Sequence, residues 1–215
     1  MRIEIVVFDG FDELDALAPY EVLRTAQAGG AGWDVALVSA GVAGTVTAQH
    51  GLALSVREPL GRPDALLVPG GGWGRRGDRG TWSEVRRGHL PARIAELAPG
   101  CAWVASVCTG AMLLSAAGLT RGRPATTHHD ATADLAAAGA LVIPDARVVD
   151  DGDLLTAGGI TSGLDLALWI VEREAGPALA ARVAAEMEYR RSPAVWTRAG
   201  TTLPPAALAP ERPRP

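Results

Sequence analysis

One cysteine stands where an apolar run gives way to helical spacing. Residues 102–118 read A-W-V-A-S-V-C-T-G-A-M-L-L-S-A-A-G. The first part, with β-branched Val104 and Val107, has the character of a buried parallel strand. The second part places Met112, Leu113, Ala116 and Ala117 on one helical face. Cys108 lies between the two, followed by Thr109 and Gly110, and small residues there let the chain turn sharply. Such a turn lifts the cysteine out of the sheet and sets its sulfur near a helix N-terminus. Unsatisfied N–H groups and the helix dipole are then expected to favour the thiolate, the nucleophilic form. A free cysteine is otherwise a small buried hydrophobe. The strand-to-helix junction, where open α/β sheets bind ligands, favours the nucleophile.

Three strand ends carry further candidates. Asp15 follows the first strand and is a possible proton donor and acceptor for the thiol. It is equally a helix-entry acid, because Asp12-x-x-Asp15 approximates a capping box. Gly70, Gly71 and Gly72 follow another strand. They could present backbone N–H groups as an oxyanion hole, or form an ordinary turn. The run is neither a phosphate loop nor a dinucleotide fingerprint. His128 is a candidate base or a hydrogen-bonded residue lining the crevice. His128 and His129, read as extended chain, are expected to point to opposite faces and not to share a metal. With four histidines in the chain and no Cys/His cluster, no metal is expected. Arg75, Arg76 and Arg79 could clamp an anion, although a solvated loop suits them better.

These residues need elements to position them. Residues 2–8 read as a first strand and 12–27 as a helix. Proline is tolerated without a kink only in a helix's first turn, so Pro19 moves the expected regular start towards Ala18. Residues 33–39 and 65–68 are strands, and 45–56 a pair of short strands. Residues 73–80 form a polar loop and 81–97 one helix. Residues 101–107 are the strand before the cysteine. A short strand over 124–127 leads to the histidines, and 131–138 form a helix. Residues 147–157 form a hairpin turning at Asp151-Gly152. Residues 161–173 are a helix capped by Thr161 or Ser162. Residues 177–189 are the last helix, with proline in its first turn. The alternation predicts an α/β fold: one flavodoxin-like domain over residues 1–191, a mostly parallel sheet with helices on both faces, and a nucleophile elbow. Residues 192–215 are Pro/Ala-rich and read as a mobile tail or an arm over a neighbour.

Composition narrows the partners. A chain of 215 residues suits one domain, and a net charge of −4 leaves no basic footprint for nucleic acid. No apolar run reaches the ~18 residues that a membrane span needs, and charges of both signs are interspersed, so no membrane-surface stripe is evident. The first residues read as a strand and not as a signal peptide. Cys101 and Cys108, separated by roughly 23 Å of extended strand, are too far apart for a disulfide. A reducing cytoplasm is the simplest setting.

The segments P-G-G-G, S-V-C-T-G-A-M-L-L-S-A-A-G-L, A-T-T-H-H and L-L-T-A-G-G-I-T-S-G-L-D-L-A-L, with L-D-A-L-A-P-Y-E-V-L near the start, together resemble the ThiJ/PfpI superfamily and, within it, the isonitrile hydratases. The resemblance spans roughly residues 1–189. It implies Cys108 as nucleophile and Asp15 as the acid that contacts it. It implies Gly71 and Thr109 as residues whose backbone N–H groups face the reacting centre; Gly72, from the glycine run, and His128 are the further candidates for binding the substrate. Thr109 departs from the proteases of the superfamily, which place histidine after the cysteine. His129 and residues 73–80 depart from the hydratase pattern. The implied activity is a cysteine-dependent hydration of an isonitrile to an N-formamide, without a cofactor, on a small-molecule substrate, in a homodimer. An amidase, a glyoxalase-like enzyme and a ligand-sensing domain like those of AraC-type regulators are the alternatives. A thiol redox sensor is a further one, since a low-pKa cysteine oxidises readily.

Overall fold

The computed structural model describes residues 1–192 and 194–202. In chain order its elements are β1 (Arg2–Val7), α1 (Glu13–Ala26), β2 (Asp34–Ser39), β3 (Gly44–Thr47), β4 (Ala53–Val56), β5 (Ala65–Val68), α2 (Thr81–Arg87), α3 (His89–Leu97), β6 (Trp103–Val107), α4 (Gly110–Ala116), β7 (Pro124–Ala125), α5 (Thr132–Ala137), β8 (Leu141–Val142), β9 (Val148–Asp150), β10 (Leu154–Ala157), α6 (Ser162–Ala175), α7 (Pro177–Glu186), β11 (Val195–Thr197) and β12 (Gly200–Thr202). The main sheet has the order β12-β11-β9-β10-β6-β5-β1-β2. Strands β2, β1, β5, β6 and β10 are parallel, and β9 returns antiparallel to β10.

Taken in chain order, the five parallel strands are arranged second, first, third, fourth, fifth, which is the flavodoxin-like arrangement. Every residue of β5 and β6 is buried, as expected for central strands covered on both faces. Helices α1, α6 and α7 pack together on one side, and α2, α3, α4 and α5 on the other. The strand order reverses between β1 and β5. Ligands bind at such switch points, beyond the carboxyl ends of the strands.

Several local readings change. Helix α1 begins at Glu13, not near Ala18, and runs through Pro19; Asp12 caps it by accepting the Leu14 N–H at 3.1 Å. Proline takes away the N–H that would bond the Asp15 carbonyl one turn earlier. Packing sustains the helix there. A Cβ on Gly163 of α6 would meet the Pro19 ring at 3.3 Å, so α6 approaches closely at that point. The single helix expected over 81–97 is two helices, broken at Gly88, whose φ of 75° is left-handed. Thr161 is the N-cap of α6 but makes no side-chain cap bond. The stretch after Ser192 is not wholly without structure. Strand β11 pairs with β9 and β12, extending the sheet edge. The expected tail over residues 203–215 lies outside the described residues.

Three loops at the carboxyl end of the sheet touch backbone to backbone. The Asp12 N–H donates to the Gly70 carbonyl, the Gly80 N–H to the Asp9 carbonyl and the Thr81 N–H to the Gly71 carbonyl, each at 2.8 Å. There is no space between them for a side chain. A Cβ on Gly71 would lie 2.5 Å from the Asp12 nitrogen, and one on Gly80 would lie 2.6 Å from the Gly71 oxygen.

Candidate active site

Cys108 sits at the tip of β6 with φ of +55°. That conformation costs a non-glycine residue about 1–3 kcal/mol and persists only where neighbours enforce it. Its N–H reaches the Ala157 and Gly158 carbonyls at 3.1 and 2.9 Å, and its carbonyl accepts the Thr127 hydroxyl at 2.9 Å. The turn into α4 also needs Gly110, where a Cβ would stand 2.1 Å from the Val68 oxygen. These constraints make the elbow expected from the sequence. They leave the thiol side chain facing a cavity while Cys108 as a whole is 6 % exposed.

Asp15, on the first turn of α1, is fully buried and acts on that thiol. Its Oδ2 accepts the Gly70 N–H at 3.1 Å, and its Oδ1 is buried without a hydrogen-bond partner. Burial, reinforced by the nearby Asp12 charge, pushes the Asp15 carboxyl up to about 8. At neutral pH the carboxyl is therefore largely protonated. Oδ2 already accepts a bond, so Oδ1 is the oxygen left to carry the proton.

The thiol does not behave as the helix-terminus argument expects. Burial first, and the Asp15 charge second, push Cys108 above the ordinary thiol range. Backbone N–H groups of Ile160 and Thr109 act in the opposite direction, by hydrogen bonding to the sulfur, but they do not outweigh the loss of water. The resting site is a neutral acid beside a neutral thiol, and the two titrate as a coupled pair.

The cavity is about 390 Å³ and is lined by Gly71, Gly72, Cys108, Thr109 and His128, among others. Thus the structure gathers the six expected residues, with Asp15 behind the thiol. Two roles change. The Gly71 N–H is occupied, donating to Thr109 Oγ1 at 2.9 Å, so it is not free for an oxyanion. Thr109 Oγ1 also lies 3.3 Å from Thr81 Oγ1, so its side chain acts as a strut while its backbone N–H serves the sulfur. Among the described residues the Gly72 N–H has no protein acceptor. Sequence reasoning misses Ile160, which has φ of +33°; the glycine pair before it is the available signal.

His128 and His129 do not diverge. Their rings lie 4.1 Å apart because the chain enters a 3-10 turn at His129 instead of continuing extended. His128 Nδ1 accepts the Asp130 N–H at 3.2 Å, and burial lowers its pKa below the ordinary value. The ring is therefore neutral, with its proton on Nε2, where it can donate. A Cβ on Gly159 would come within 2.7 Å of this ring, so only glycine admits it.

The loop arginines divide. Arg76 lies over the Trp82 ring at 4.8 Å and 4.0 Å from Asp134, which also accepts the Trp73 indole N–H at 2.7 Å. Arg75 lines the cavity.

Among the described residues no helix is long and apolar enough to cross a membrane.

The sequence profile of the DJ-1/PfpI family matches residues 1–173. The chain is 35% identical to an isonitrile hydratase of Pseudomonas putida, with 100% of this chain and 90% of that protein covered. It is 30% identical to a deglycase of Pyrococcus abyssi, covering 73% of this chain and 89% of that one. A crystal structure of a ThiJ/PfpI family protein from Pseudomonas syringae superposes with a TM-score of 0.76 at 27% identity, covering 89% of this chain and 76% of that one.

Proposed function

This chain belongs to the DJ-1/PfpI family, and we propose that it is a cysteine-dependent hydratase that converts an isonitrile, RNC, to the N-formamide RNHCHO. The observation that carries the reading is the pair itself: a fully buried carboxyl with one unpartnered oxygen, acting on a thiol that lines the cavity. An isonitrile carbon is both basic and electrophilic once protonated, so it needs an acid and a nucleophile at the same point. Asp15 gives its proton to that carbon and takes up the thiol proton as sulfur bonds to it. The product is the thioimidate R–N=CH–S–Cys108, with Asp15 neutral again. Water then adds to the same carbon. Its proton passes to Asp15 as the Asp15 proton passes to nitrogen. The C–S bond breaks, the hydroxyl proton returns through Asp15 to sulfur, and RNHCHO leaves. One water is consumed and the thiol is regenerated. The N–H groups of Thr109 and Ile160 hold the sulfur throughout, and those of Gly72 and His128 Nε2 are free to face the nitrogen or oxygen.

The full-length similarity to an isonitrile hydratase supports this reading over the deglycase-like one, whose similarity covers less of the chain. The test is formamide production from a panel of alkyl and aryl isonitriles, wild type beside Cys108→Ala. Turnover by wild type, lost by at least about 10³-fold in the variant, is expected. No turnover by wild type would overturn the hydratase reading in favour of the amidase, glyoxalase-like or sensing alternatives.

A further inference from the structure

A second cavity of about 350 Å³ adjoins the first and shares Gln49, Gly72 and Arg75 with it. Its remaining lining is Gly10, Ala48, Gly77, Asp78 and Arg79. Of the three loop arginines, Arg76 is engaged by Trp82 and Asp134. Arg75 and Arg79 have neither an ion pair nor a side-chain hydrogen bond among the described residues. Asp78 is the one acid among the lining residues, against two arginines, and all three are exposed. Gln49 Oε1, on the wall common to both cavities, is buried without a partner. The first cavity has the opposite balance, with Asp12 and Asp130 beside Arg75.

We infer that the second cavity is a subsite for a carboxylate carried by the substrate. The substrate class is then an isonitrile with a carboxylate-bearing side chain, its NC end at Cys108 and its anion between Arg75 and Arg79. This rests on the hydratase reading. The physical grounds are the shape and donors of guanidinium. It offers planar paired N–H groups that match a carboxylate in two-point contact, and such charge-assisted bonds are stronger than neutral ones. Arg75, on the wall between the cavities, is placed to reach an anion in the second from the mouth of the first. The unpartnered Gln49 carboxamide oxygen accepts an N–H from the same ligand, such as the one created on the formamide product.

The experiment compares isocyanoacetate, 3-isocyanopropanoate and 4-isocyanobutanoate with their methyl esters. The ratio of kcat/KM, acid over ester, is read for wild type, Arg75→Met and Arg79→Met. Wild type is expected to favour the acid by about tenfold at the chain length that spans the cavities. The ratio falls towards one in both variants. A ratio left unchanged in the variants overturns the inference, because a general loss of activity or folding lowers both rates alike. Esters turned over as well as acids by wild type at every length would overturn the inference while leaving the hydratase reading standing. If no isonitrile is turned over, the hydratase reading fails, and calorimetric titration of wild type with 4-formamidobutanoate and its methyl ester decides the subsite separately. Tighter binding of the acid, lost in Arg75→Met, upholds it; equal binding overturns it.

Discussion

Replacing Asp15 by asparagine should make the protein relatively more stable as pH rises. The folded protein holds the Asp15 proton up to about pH 8, whereas an unperturbed carboxyl releases it near 3.8. Between these values the folded state binds more protons than the unfolded chain, so wild-type stability declines with rising pH and levels off above the folded pKa. Each tenfold difference in proton affinity between the two states corresponds to about 1.4 kcal/mol. The penalty is about 2 kcal/mol near pH 5.5 and about 5 kcal/mol near pH 8.5, a rise of about 3 kcal/mol. The asparagine carboxamide has no proton to lose and keeps an acceptor for the Gly70 N–H. Urea unfolding of both proteins at steps across this range gives the difference in unfolding free energy. That difference should move by about 3 kcal/mol in favour of Asp15→Asn. The range stops below the ordinary thiol pKa of 9.0, beyond which Cys108 adds a slope of the same sign. Curves that stay parallel, or a wild type that gains on the variant, would refute a protonated Asp15.

The same carboxyl sets the expected pH–rate profile: kcat/KM for an isonitrile should fall as pH rises through about 8, where the acid is lost, and a rate that is flat to pH 9 would remove Asp15 as the acid. Thr109→Val deletes the acceptor for the buried Gly71 N–H, so denaturant unfolding should show a loss of about 1–3 kcal/mol; a smaller change would mean the strut is dispensable. Gly159→Ala forces the His128 ring out of its half-buried seat, so its NMR titration midpoint should rise towards the ordinary 6.5, and an unmoved midpoint would show that the ring had stayed.

The residues visible from sequence are those whose roles follow from local chain geometry. Cys108 can be found because a strand pattern changes to a helix pattern around it, and Asp15 because it follows the first strand. What escapes depends on contacts between distant segments. Pro19 is tolerated inside α1 because α6 approaches it at Gly163, and nothing within residues 13–26 reveals that. The thiol's raised pKa comes from burial and from Asp15, 93 positions earlier in the chain, and these outweigh the local N–H groups that suggest a thiolate. Gly71 offers an N–H to the crevice in sequence terms, but Thr109, from another loop, accepts it first. The rings of His128 and His129 meet because a turn replaces extended chain. Val195 and Trp196 read with the Pro/Ala-rich stretch, since a three-residue strand is too short to show a period.

The backbone contacts among the three loops also bear on how this protein could be altered. Gly72 and Gly80 are held side by side, one against Arg79, the other against Asp9 and Gly71. Residues 73–79 therefore leave and rejoin the body of the protein at almost the same place, like a handle fixed at both feet. Lengthening such a segment adds only slowly to the entropy of closing it, about 0.6 kcal/mol per doubling. The thiol, the carboxyl and the elbow stand on the other side of the clasp. Segments of different length and charge could be exchanged between Gly74 and Asp78 to retune what is recognised, with the reacting groups left as they are.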